Sequence, residues 1–257
     1  MTDTEPFQIP IDLGSLPKVF KKGIEIWYNF SFIPSSYIAA SNFLSIYLAM
    51  IGLRAELRIA HDSISNIPNK VKYLNSIDGK DELFEQKKEF WIDLHSELKQ
   101  SIQHHVEVLI NLNILKNVTN LSFMLLYYMT MILIAAGVLI VIFNPVVDVF
   151  YVFAIDYTFR YVLECFVFCY TVSSLNATHF AIGEALVHQS WISKLRFSKQ
   201  YGEQYRAVRA GILMELMESQ RNLGINCGGM FELTLEKFTR IINTSYSLTM
   251  FLWTFRK

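Results

Sequence analysis

The segment Leu121 to Phe143, LSFMLLYYMTMILIAAGVLIVIF, contains no charged residue. A helix that is apolar on every side for this length has no face to offer water. The hydrocarbon core of a bilayer is about 30 Å thick and takes roughly 20 mostly apolar residues to cross. The segment therefore reads as a membrane span, and the chain around it must be arranged for a bilayer. Composition agrees: hydrophobic residues make up 52% and charged residues only 18%, against about a quarter in soluble domains. The formal net charge is zero, so no polyanion, and no nucleic acid, is expected as a partner. Of the three cysteines, Cys165, Cys169 and Cys227, two sit in an apolar run. They form neither a disulfide framework nor a zinc pattern. Residues 1–33 are polar and spaced by Pro6, Pro10 and Pro17, with no apolar stretch after a basic start, so no signal peptide is read there.

Three further segments join the first. Val149 to Val172 is apolar and aromatic but carries Asp156, Arg160 and Glu164. Tyr37 to Leu53 ends at Arg54 and Arg58. Phe238 to Phe255 is the least hydrophobic, with Arg240 and Asn243 near its start. The expected fold class is an all-α membrane protein with four transmembrane helices and a cytoplasmic helical bundle. The expected boundaries are an extracellular loop segment at 1–33, a span at 34–58, and cytoplasmic helices at 59–118. A span at 119–143, a short extracellular loop at 144–148 and a span at 149–175 follow. Cytoplasmic helices at 176–236 and a final span with a short tail at 237–257 complete the chain. Orientation follows Lys and Arg close to the membrane. Lys116 precedes the second span, and Lys194, Arg196, Lys199, Arg206, Arg209 and Arg221 occupy the third connection. Both long connections thus read as cytoplasmic and both termini as extracellular, although Lys18, Lys21, Lys22, Arg256 and Lys257 run against this. The sequon at Asn29 would then lie outside, where glycosylation is possible. The matches at Asn117, Asn120, Asn176 and Asn243 fall inside or within spans.

The long connections carry structure of their own. From Asp81 to Lys116 there is no Gly or Pro, and Trp91, Leu94, Leu98, Ile102, Val106, Leu109 and Leu112 recur every three or four residues. That is one apolar helical stripe, continuous with the following span. A second helical region covers Ala177 to Leu195 and a third runs from Glu203 to Leu223, with Gly224, Gly228 and Gly229 breaking it before the last span. Such helices pack together into a bundle, either within one subunit or as an interface between subunits.

Few residues suggest chemistry. Asp156, Arg160 and Glu164 follow at i, i+4 and i+8 on one face of the third span. Charges in hydrocarbon must be paired or face water. The ladder can neutralise itself, with Arg160 between two carboxylates, or it can face a polar cavity or another helix. His104, His105 and Glu107 hint at a metal, but adjacent helical residues point about 100° apart and no repeated Glu-x-x-His pattern exists; no metal and no cofactor is expected. No nucleophile elbow, phosphate loop or dinucleotide fingerprint appears, so the chain is not read as an enzyme. Aromatics with scattered hydroxyls suit a pocket for small molecules; candidates are Tyr37, Ser41, Leu44 and Tyr47 on the first span, and Phe153 and Tyr157 on the third.

The stretch Glu232 to Phe251, ELTLEKFTRIINTSYSLTMF, resembles the seventh-span signature of insect odorant receptors. The match rests on Leu233, Leu235, Glu236, Phe238, Ile241, Ser245, Tyr246 and Ser247, with Thr234 for the usual Ser. His104-His105 resembles the His-His before the family's fifth span, and Ser190-Trp191 approximates its "S-x-W". Gln220-Arg221 followed by Gly228-Gly229 resembles "A-Q-R-P…A-G-G", with Asn222 in place of Pro. Trp27-Tyr28 is similar to the aromatic run before the fourth span. The resemblance covers essentially the whole chain but only the second half of a seven-span family, so a C-terminal portion or truncated form is expected.

The resemblance implies an odorant-gated cation channel subunit in a hetero-tetramer with a shared odorant co-receptor, in the plasma membrane of olfactory sensory neurons. The last span would line the ion path, with Thr249, Leu252 and Trp253 near its outer end, and odorant small molecules would bind between spans. A gustatory-type relative is the nearest alternative, and its "T-Y-x-x-x-x-x-Q-F" lacks a match because no Gln follows Thr249. A small transporter and a non-functional receptor fragment are the others.

Overall fold

The computed structural model describes residues 18–71, 88–143, 149–197 and 199–254. Almost all of this is helix. In chain order the elements are α1 (Lys18–Ser65), α2 (Ile67–Lys70), α3 (Lys88–Phe143), α4 (Val149–Val187), α5 (Ser190–Lys194), α6 (Gly202–Ser219), β1 (Asn226–Cys227), β2 (Phe231–Glu232) and α7 (Leu235–Thr254). Three helices hold segments long and apolar enough to cross a membrane: Tyr37–Ser65, Lys88–Ile142 and Ala154–Val187. Helix α7 does not reach that mark; Glu236, Lys237 and Arg240 fall within its first two turns.

α1 begins at Lys18, well before the boundary expected at residue 34. Nothing in 18–33 stops a helix: the stretch has one glycine and no proline. Pro34 itself lies inside α1, where its missing N–H removes a single turn bond. α3 is 56 residues long, roughly 80 Å at 1.5 Å per residue. The expected continuity between the amphipathic stripe and the Leu121 span is therefore present in one helix.

The chain divides into two compact units. Residues 1–48, 122–169 and 234–257 form the first, and residues 49–121 and 170–233 the second. In the first unit the buried positions are few: Phe123, Tyr127, Thr130 and Ala135 on α3, Cys165, Phe168 and Cys169 on α4, and Ile241, Ser245 and Thr249 on α7. Large apolar side chains such as Leu125, Ile132, Phe159 and Leu163 are exposed there. Gly137 on α3 packs against Thr158 on α4 with no room for a side chain. A Cβ there would stand 2.8 Å from Oγ1 of Thr158, a hydroxyl that donates to the carbonyl of Ala154 at 2.8 Å.

The second unit has a conventional hydrophobic core. Ile67, Val71, Phe90, Trp91, Leu94, Leu98, Trp191, Val208 and Ile212 form one buried cluster. Trp191 donates its indole N–H to Oε1 of Gln189 at 3.1 Å, and Gln189 donates to the carbonyl of Ser65 at 3.3 Å. The buried seam of α3 runs Leu94, Leu98, Ser101, His105, Val108, Leu112, alternating steps of four and three. That is a 3.5-residue repeat of the coiled-coil kind. The apolar stripe read from sequence follows it as far as Leu98, then drifts to Ile102, Val106 and Leu109. Val106 is exposed, because the true seam passes through two polar residues that a hydrophobic pattern skips.

The three glycines do more than end α6. Asn226 and Cys227 pair antiparallel with Glu232 and Phe231, making a small hairpin. Gly228 and Gly229 turn it with φ of 60° and 73°, a left-handed conformation open to glycine at no steric cost.

Candidate functional site

Three places concentrate polar groups among apolar ones. The first is a cavity of about 230 Å³ in the first unit, between α1, α3 and α4. Phe43, Phe123 and Phe168 form its aromatic corner. The Phe168 ring stands edge-on to Phe43 at 5.0 Å and to Phe123 at 5.1 Å between centroids. Asn42, Ser122, Tyr161 and Glu164 supply its polar groups. Arg160 donates from Nε to Oε1 of Glu164 at 2.9 Å. The ladder thus closes at its second step, while Asp156 is exposed.

The pocket candidates from sequence lie around this cavity rather than on its wall. Tyr37 is 74% exposed and Leu44 is exposed. Ser41 is half-buried and accepts at its carbonyl from the Ser45 hydroxyl. Tyr47 stacks on Phe43 with planes 3° apart, and Tyr157 contacts Tyr161 with ring centroids 5.5 Å apart. Both therefore buttress lining residues. The side chains of Phe153 and Asn29 lie outside the described residues. On α1 a step of one residue separates Ser41, Leu44 and Tyr47 from the lining Asn42, Phe43 and Ile46, and sequence periodicity does not fix that rotation.

The second place is α7. Ile241, Ser245 and Thr249 are its buried residues, spaced i, i+4, i+8. Thr249 donates to the Ser245 carbonyl at 2.8 Å. Thr249 therefore faces the interior of its own unit, whereas Leu252 is exposed and Trp253 half-buried. Glu236, Arg240, Asn243, Ser247 and Thr254 are all exposed. At 100° per residue they form one stripe on the side of the helix opposite the buried face.

The third place is a buried polar chain in the second unit. His105 on α3 and His179 on α4 are fully buried, and Glu215 on α6 nearly so. His105 Nε2 stands 3.2 Å from His179 Nδ1, and His179 Nε2 donates to the carbonyl of Glu218 at 3.1 Å. On its other side His105 Nδ1 is 2.5 Å from Oε1 of Glu215. The two atoms are in close contact but are not aligned as a hydrogen bond. His104 points elsewhere, 3.4 Å from Glu56 on α1, as the 100° step between neighbours requires. Burial, and then the neighbouring His105, push His179 below the ordinary imidazole range. Among the described residues, no three His, Cys, Asp or Glu side chains are grouped to hold a metal ion.

Comparison with known families finds a match to "7tm Odorant receptor" over residues 26–246, most of the chain. The chain belongs to this odorant receptor family. A chemosensory role and a membrane setting follow, and the family is one of receptors rather than enzymes. No curated protein matches the chain by overall sequence.

The residues that carried the receptor resemblance now have places. Trp191 fills the core of the second unit. Arg221 pairs with Glu218 at 3.2 Å, and Gln220 ends α6. Gly229 donates its amide to Oδ1 of Asn120 at 3.1 Å, and Gly228 donates to the Asn120 carbonyl at 3.1 Å. Leu223 donates to Oδ1 of Asn176 at 3.1 Å. So α3 and α4 of the receptor each hold the segment just before α7 through an asparagine, Asn120 and Asn176. Ser245 is buried on α7 and Tyr246 beside it is exposed. Glu215 and His179 were missed because single polar residues in an amphipathic helix carry no signal without their partners.

Proposed function

We propose that this receptor chain binds small volatile odorants within the membrane and gates a cation path as part of a hetero-tetramer with the shared co-receptor. The observation that carries the channel reading is the two-sidedness of α7. A stripe of Glu236, Arg240, Asn243 and Ser247 facing lipid would cost several kcal/mol. Facing a water-filled axis shared with neighbouring subunits, it costs little, and rings of such groups select ions. On this reading α7 is the fourth span, the N-terminal end of α7 forms the cytoplasmic mouth, and the outward stripe replaces Thr249 as the pore-facing set. Leu252 and Trp253 stand near the outer end. Segments 59–118 and 176–236 lie in the cytosol, and their exposed apolar residues, such as Ile110, Ile114, Leu213 and Met217, suit contacts between subunits. The cavity between α1, α3 and α4 is the ligand site, and a ligand held there favours the open arrangement by its greater affinity for it. The membrane is the plasma membrane of olfactory sensory neurons.

The test is cysteine substitution in the chain co-expressed with the co-receptor, with odorant-evoked current as the readout. The native cysteines are buried, so background reaction is low. Asn243→Cys and Ser247→Cys should let a water-soluble thiol reagent block the current, and Ser245→Cys should not. Block at 245 alone, or the absence of any evoked current across a broad odorant panel, refutes the reading.

A further inference from the structure

We infer that the cavity between α1, α3 and α4 selects small neutral molecules bearing a hydroxyl on a hydrocarbon or aromatic body. The inference rests on the ligand-binding reading above and narrows it to a chemical class.

Size comes first. The cavity is a partly open cleft of about 230 Å³, which suits a small ligand rather than a drug-sized one. Phe43, Phe123 and Phe168 offer ring edges and faces to an apolar body. The polar side is less ordinary. Glu164 is an acceptor at both oxygens. Arg160 donates to Oε1, and a carboxylate has lone pairs for more than one donor. The side chain is only 15% exposed, so water is a poor substitute. Asn42, Ser122 and Tyr161 add groups that can donate or accept.

A hydroxyl matches this set in both roles. It donates to the Glu164 carboxylate and accepts from Asn42, Ser122 or Tyr161. A ketone, ether or ester satisfies only the second role and turns lone pairs toward the carboxylate. A protonated amine can donate, but Arg160 already balances Glu164, so the amine leaves an uncompensated charge in hydrocarbon. A carboxylate ligand meets like charge.

The experiment compares four molecules of matched shape: 1-phenylethanol, acetophenone, 1-phenylethylamine and ethylbenzene. Binding is read as thermal stabilisation of the purified full chain in lipid nanodiscs. The variant pair Arg160→Gln with Glu164→Gln keeps the site neutral, and partitioning into lipid is the same for both proteins. Hydrogen bonds to charged groups support a preference of about tenfold or more. The expected result is that 1-phenylethanol binds at about tenfold lower concentration than acetophenone, with that ratio collapsing in the double variant. Equal binding of the ketone, tighter binding of the amine, a ratio unchanged in the variant, or no binding by any of the four overturns the inference. Recording current with the co-receptor separates the two claims. Preference in binding without current for any ligand overturns the channel reading alone. Current without preference overturns the hydroxyl class alone.

Discussion

His105 Nε2 and His179 Nδ1 face each other across 3.2 Å inside the second unit, and this spacing determines how many protons the two rings can hold. The Glu218 carbonyl can only accept, so His179 Nε2 carries a hydrogen. A neutral His179 must then accept at Nδ1, and His105 must donate from Nε2. A second proton on His179 would put two N–H groups nose to nose.

The first prediction is acid sensitivity of this unit. The facing groups are His105 from α3 and Glu215 and Glu218 from α6. Burial and His105 hold His179 below 6.5, its ordinary value. The unfolded chain therefore binds this proton more readily than the folded one. The stabilisation is complete above about pH 6.5 and is lost as pH falls through the depressed folded value. Thermal unfolding of the purified chain should weaken from pH 7.5 toward pH 5, and His179→Gln should flatten that dependence. An unchanged slope in the variant would assign the acid response to other groups.

Gly183 packs against Ser219, which is fully buried, and a Cβ at residue 183 would collide with the Ser219 hydroxyl. Gly183→Ala should destabilise by about 1–3 kcal/mol, the usual cost of overpacking. Ser219→Ala in the same chain should recover most of the loss, because the colliding atom is then gone. Denaturation midpoints of the two variants check this.

Trp191→Ala should cost about 3–5 kcal/mol, since it empties the centre of a buried cluster. Trp191→Phe keeps most of the packing but loses the bond to Gln189, and should cost clearly less. Comparable losses in both would mean that the indole hydrogen bond dominates over packing.

Asn176→Ala leaves the part-buried amide of Leu223 without its acceptor, at about 1–3 kcal/mol. The effect should be local. Hydrogen exchange of residues 221–233 should accelerate, while Asn176→Asp, which keeps an acceptor oxygen, should stay near wild type.

Much of the architecture was legible in the chain. The charge-free run Leu121–Phe143 reads as a membrane span, because it is long enough to cross a bilayer and has no face to offer water. The absence of Gly and Pro from Asp81 to Lys116 forecast a long helix, and α3 is one from Lys88 onward. The motif around Ser245-Tyr246 announced the family. These features are local: they depend on composition, period and short spacing, which sequence displays directly. What tertiary structure alone decided is which side of each helix meets which neighbour. The seam of α3 passes through Ser101 and His105 instead of Ile102 and Val106. Thr249 turns inward, and Asn243 and Ser247 turn outward. Asn120 and Asn176 cap a loop more than 40 residues distant. A rotation of one residue about a helix axis is invisible in an amphipathic pattern this weak, and it is settled only when all the packing partners are present at once.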